Sequence, residues 1–170
     1  MIFSAIRTAG SGMGVYRTWL DAVAGNIANI NTAGPTDAAA FQARYVVAES
    51  VGYGEPGGDG GARVAGIALG DPAGRLVYQP GHPLADEDGM VRYPDVDLGD
   101  QMTQLLVAQR AYQANLAVVQ RARAEVVQRR MAAVEQRIEL SLRGARRALV
   151  IASRLTTRPP HPARFVDTRA

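Results

Sequence analysis

Cysteine and lysine are both missing from this chain of 170 residues. Without cysteine there is no disulfide framework, no thiolate nucleophile and no thiolate metal ligand. Without lysine every basic side chain is an arginine. Together with the abundance of Ala, Gly and Arg, this fits GC-rich coding better than a functional choice. Histidine is almost absent too. His82 and His161 lie far apart with no metal-ligand spacing, so neither a Ser/His/acid triad nor a histidine metal set can be assembled. No apolar run approaches the roughly 18 residues that a bilayer requires, the longest aliphatic stretch being Ala148-Leu149-Val150-Ile151-Ala152. Residues Met1 to Arg7 lack the basic start, apolar core and cleavage site of a secretory signal. A chain like this would leave the cytoplasm only by a route that ignores cleavable signals.

What the chain does have is helical patterning at both ends. Apolar or small residues fall at Ile2, Ile6, Ala9, Met13, Tyr16, Leu20, Val23, Ile27 and Ile30, in alternating steps of four and three. That is the seam of a coiled coil and predicts a helix over about 2–30. Gly10, Gly12 and Gly14 each cost about 1 kcal/mol against Ala in a helix interior. Such a helix orders by packing, where small residues let another backbone come close. Asn29-Ile30-Asn31-Thr32-Ala33-Gly34-Pro35 should end it, through left-handed Asn or Gly and a blocking Pro. A second seam runs through Leu98, Met102, Leu105, Gln109, Tyr112, Leu116 and Val119, in a helix that begins after Pro94 with Asp95 or Asp97 as cap. A fainter stripe continues through Met131, Val134, Ile138 and Leu142. A narrow seam needs a partner helix, either the other end of this chain or a neighbouring copy.

Between the helices, strands are expected over 41–48, 62–68, 75–78 and 90–93, separated by turns rich in Gly, Pro and Asp. Residues 52–61 read as a flexible glycine loop, and the proline-rich end from 156 onward as disordered. The expected fold class is mainly α with a small β module, the N- and C-terminal helices pairing as an elongated coiled coil. Its parts are an N-terminal helix (1–34), a β-rich module (35–94), a C-terminal helix (95–133) and a basic extension (134–170).

The motifs that could carry chemistry have simpler readings. Asp86-Glu87-Asp88-Gly89 begins like a calcium loop, but Gly89 then stands at position four rather than six, so a solvated acidic turn accounts for it better. Gly10-Ser11-Gly12-Met13-Gly14 follows no strand and lies within the seam, which argues against a phosphate cradle. His82, in Pro80-Gly81-His82-Pro83, reads as a turn residue. No enzyme activity, cofactor, metal or small-molecule substrate is expected. Charge is uneven: residues 1–120 carry 7 Arg against 12 acids, a net −5, and residues 121–170 carry 12 Arg against 4 acids, a net +8. The basic end could attract nucleic acid, making a basic coiled-coil adaptor the reading from a different class. However, no aromatic lies between Gln113 and Arg164 to stack on bases, and a solvated helix exterior is favoured.

Three stretches carry a resemblance. Ala24-Gly25-Asn26-Ile27-Ala28-Asn29-Ile30-Asn31-Thr32 resembles the N-terminal signature of the flagellar axial proteins, the rod, hook and hook-associated subunits. Gly81-His82-Pro83, with Ala85-Asp86-Glu87-Asp88-Gly89 and Tyr93-Pro94-Asp95-Val96-Asp97, is similar to the basal-body rod members of that family. Gln109-Arg110-Ala111-Tyr112-Gln113-Ala114-Asn115 resembles their C-terminal helix signature. The resemblance covers about residues 1–133 and implies a structural subunit of the proximal rod, exported by the flagellar type III apparatus and placed in the periplasm. It implies terminal helices that pair and stack around the export channel, with the β module facing outward. Implied partners are copies of itself, other rod proteins and the membrane-ring or export-gate base; a neighbouring rod or hook component is the alternative. The residues expected to carry assembly are Ile6, Met13, Leu20, Val23, Asn26, Ile27, Asn29, Asn31, Leu105, Tyr112, Asn115, Leu116 and Val119. Asn29 and Asn115 are singled out as interhelix or intersubunit clamps. About 35 residues extend past the family's usual end. A lineage-specific extension, a frameshifted end and a tail threaded elsewhere all stay open, and the Arg/Ala/Pro bias suits translation out of frame.

Overall fold

The computed structural model describes residues 2–53 and 59–156. The glycine loop's centre (54–58) and the proline-rich stretch from 157 onward lie outside them. The chain divides into two compact units, Met1–Glu125 and Val126–Ala170.

The first unit opens with helix α1, Ile2–Asn29. Its end differs from the expected left-handed cap: no non-glycine residue among those described has a positive φ, and Gly34 has none either. Instead the carbonyl of Asn29 accepts the Thr32 N–H at 3.0 Å, so the helix closes in a tight turn. Strands β1 (Arg44–Tyr53) and β2 (Asp59–Leu69) form an antiparallel hairpin packed on α1. The first starts three residues later than the expected 41–48 but runs on to Tyr53, and the second starts at Asp59 rather than 62, so the pair takes in residues 52–53 and 59–61 of the supposed loop. Glycine makes this possible. Gly60 and Gly61 continue the strand with φ of 75° and 123°, and Gly61 lies so close to Ser11 on α1 that a Cβ would collide with its hydroxyl. That hydroxyl accepts the Ala62 N–H at 3.1 Å while donating to the Thr8 carbonyl at 2.8 Å, riveting β2 to α1.

Strands β3 (Arg75–Tyr78) and β4 (Met90–Tyr93) form a second antiparallel hairpin with the expected bounds. Residues 34 and 92 exchange backbone hydrogen bonds at 2.8 and 2.9 Å, so the end of the α1 turn flanks β4, whose Val91 is fully buried. The Arg92 guanidinium donates to the carbonyls of Thr36 and Ala73, drawing three segments together. Helix α2 spans Leu98–Thr156. Asp97, not Asp95, caps it: its carboxylate accepts the Asp100 N–H at 2.8 Å, and its carbonyl accepts Gln101 N–H at 3.1 Å as the first helical bond. The part of α2 from residue 126 onward belongs to the second unit, continues through Gly144, and is exposed over 131–153.

Candidate functional site

Where α1, the start of β1 and the first turn of α2 converge, the interior is polar. Asn26 is wholly buried and Gln101 is 2% exposed. The Asn26 side-chain Oδ1 accepts the Arg44 N–H at 2.8 Å, and its Nδ2 donates to the Arg44 backbone carbonyl at 3.0 Å. The two backbone groups of one residue therefore fix which way the asparagine points. The same amide donates to Gln101 Oε1 at 3.0 Å, so one side chain joins three elements. A buried polar group is tolerated because its partners are present, and here they are.

Further along, Trp19 Nε1 donates to Gln104 Oε1 at 3.3 Å, and Trp19 stacks on Tyr16 with ring centroids 6.0 Å apart. Asn115 lies over Gly12, where a Cβ would come within 3.1 Å of its Oδ1. Contacts at 12 with 115, 19 with 104 and 26 with 101 run in opposite senses, so the two helices are antiparallel there. Gly12 is thus explained by close approach; Gly10, Gly14 and Gly25 have nothing within 4 Å that a Cβ would meet. Beside these contacts a cleft of about 450 Å³ is lined by Val15, Tyr16, Trp19, Val46 and Asn115 among others.

The expected assembly residues are distributed unevenly. Val23 and Val119 are buried with Asn26, while Ile6, Met13, Leu20, Ile27, Leu105, Tyr112 and Leu116 are half-buried. Asn31 is exposed. Within the chain, neither favoured asparagine clamp reaches another helix by a hydrogen bond of its amide nitrogen. Asn29 Nδ2 donates to the Gly25 carbonyl and Asn115 Nδ2 to the Ala111 carbonyl, each one turn back on its own helix. The clamp between elements is Asn26.

The second seam needs a further correction. Leu98 and Met102 are about half exposed and Gln109 is exposed, whereas Gln101, Ala108 and Ala122 are buried. The inward face of α2 keeps Leu105, Tyr112 and Val119 of the apolar count but takes Gln101 in place of Met102 and Ala108 in place of Gln109, because the joint at the start of the helix is polar. Gln101 and Gln104 were missed for that reason. The signal that could have found them is the cap, since Asp97 places Gln101 one turn into the helix. His82 is a turn residue as expected, its Nδ1 accepting the Leu84 N–H at 3.1 Å. Asp86 organises the acidic turn: its carboxylate accepts N–H groups from Met90 at 2.8 Å and Asp88 at 3.0 Å, and the Thr36 hydroxyl at 2.8 Å. Among the described residues no group of three or more His, Asp or Glu side chains could hold a metal ion.

Comparison with known proteins converges on the same segments. Residues 6–36 match the family model described as flagella basal body rod protein, and residues 87–124 match the flagellar basal body rod FlgEFG protein C-terminal model. The flagellar basal-body rod protein FlgC of Yersinia enterocolitica is 42% identical over 113 residues, covering 65% of this chain and 82% of the relative. That of Salmonella typhimurium is 35% identical over 111 residues, with 65% and 82% covered. That of Agrobacterium fabrum is 38% identical over 122 residues, with 71% and 86% covered. The matched N-terminal segment ends in the α1 turn that flanks β4, and the matched C-terminal segment contains Gln101 and its helix face. This chain belongs to the FlgC family of flagellar basal-body rod proteins.

Proposed function

We propose that this chain, a structural subunit of the flagellar basal-body rod, polymerises through the two helices that meet at the Asn26 joint. The observation that carries the reading is apolar surface left over on α2. Met102, Leu106, Val107 and Val118 remain 44–54% exposed although the opposite face of the helix is occupied by α1. Large exposed apolar side chains on a rigid helix mark an interaction surface. In this reading α1 and α2 pair as an antiparallel coiled coil, and the leftover face of α2 packs on neighbouring subunits. The partners are copies of the same chain, other rod proteins and the membrane-ring or export-gate base. The work is mechanical: packed helices carry torque around the export channel, and no catalysis takes place. The subunit resides in the periplasmic rod.

The test is made in the host. With the gene deleted, the cell envelope is imaged for hooks and filaments, and residues 1–134, the full chain, or the full chain with Met102→Asp and Leu106→Asp are supplied in turn. The full chain and residues 1–134 should restore external flagella. The double variant should show the wild-type far-UV circular dichroism yet restore none, because an added charge cannot be desolvated at a packed interface. Flagella that persist in the deletion strain, or a double variant that restores them, would overturn the reading.

A further inference from the structure

In the second unit α2 carries another seam, outside both family models, which stop at residue 124. Val127, Met131, Val134, Ile138, Ser141 and Ala145 follow one another in steps of four, three, four, three and four. Val127, Met131, Val134 and Ile138 are 52–59% exposed. We infer that this stretch pairs with the same stretch of a second copy as a parallel two-stranded coiled coil.

The charges flanking the seam choose both the occupant and its direction. With Met131 and Ile138 as one seam position and Val127 and Val134 as the other, Arg130 and Arg137 lie on one flank and Glu135 on the other. In a parallel pair each residue of the first flank faces the partner residue five places later on the second. Arg130 then meets Glu135 of the other copy, twice by symmetry. In an antiparallel pair the arginine flank would face itself, and like charges would oppose the contact. The steric form of the seam agrees: Val134, Arg137, Ile138, Ser141 and Leu142 line a shallow depression. The first four are the four-residue hole that receives a knob from a facing helix. An anionic membrane fits less well, because Glu135 borders the apolar stripe. The inference goes beyond the rod reading and does not rest on it, since complementation by residues 1–134 tests that reading separately.

The absence of native cysteine makes the test clean. Val127→Cys and Ala145→Cys are introduced separately into the full chain, which is then oxidised and run on a non-reducing gel. Each variant alone should give a disulfide-linked dimer, and Gln136→Cys, on the outer side of the helix, should give none. Arg130→Glu should lose the Val127→Cys cross-link, and Arg130→Glu with Glu135→Arg should recover it. Several results would overturn the inference: no cross-link at either position, a cross-link only between Val127→Cys and Ala145→Cys chains in mixture, equal cross-linking at 136, or no recovery in the double reversal. Vesicles of anionic lipid that bind the chain and abolish the cross-links would overturn it in favour of a membrane.

Discussion

Asn26 and Asn31 show how differently one residue type can be used five positions apart. Asn26 is fully buried with three hydrogen-bonding groups committed to its side chain, whereas Asn31 stands in solvent. Replacing Asn26 by Ala would strand the Arg44 N–H and carbonyl and the Gln101 carboxamide in a dry interior. An unpaired buried group costs about 1–3 kcal/mol, so Asn26→Ala should lower unfolding stability by about 2–4 kcal/mol on the same principle. Asn31→Ala should stay within about 0.5 kcal/mol of wild type. Urea titrations followed by circular dichroism would compare the two, and equal midpoints would remove the joint from the account of stability. The asparagine-rich signature itself was legible in the sequence. Which asparagine does the joining was not, because a seam count scores apolar residues, and Leu98 and Met102 on either side of Gln101 pulled the count toward themselves.

Among elements, legibility follows the strength of the local signal. The alternating steps of α1 and α2 and the Gly, Pro and Asp turns around β3 and β4 gave the right elements, and for the last two strands the right bounds. The β1–β2 hairpin was read short because glycines that suggest a loop serve here as strand residues with positive φ against α1. Such a close approach is a tertiary fact with no local signature. The β3–β4 turn is governed by Asp86, whose carboxyl is held below its ordinary value of 3.8 first by the Met90 N–H and then by the Thr36 hydroxyl. A carboxylate with a lowered folded-state value contributes stability that is fully present above the unfolded value and is lost as pH falls through the folded one. The turn and its bond to Thr36 should therefore loosen as pH falls below about 3.8. Amide exchange at Met90 followed down that range would show it. In Asp86→Asn, which keeps one acceptor oxygen but has no charge to lose, the acid-side change should flatten. An unchanged acid response would assign it to other carboxylates.

At the scale of the whole molecule, three short stretches identified the family, yet the second unit was left as a fading stripe. The first unit's organisation depends on contacts between distant residues, and this has a consequence in time. Asn26 meets Arg44 after 18 residues but meets Gln101 only after 75. Closing the longer loop loses more chain entropy, and distant contacts form late. Gln101→Ala should therefore speed unfolding while leaving the folding rate near wild type, as expected for an interaction absent from the transition state. Stopped-flow chevrons would separate the two limbs, and a fall in the folding limb alone would place the contact in the nucleus. A chain released from its N-terminal end would carry a glycine-weakened helix and a half-bonded asparagine until residue 101 became available. The subunit would then stay pliable while that residue was withheld and stiffen only when this last partner arrived.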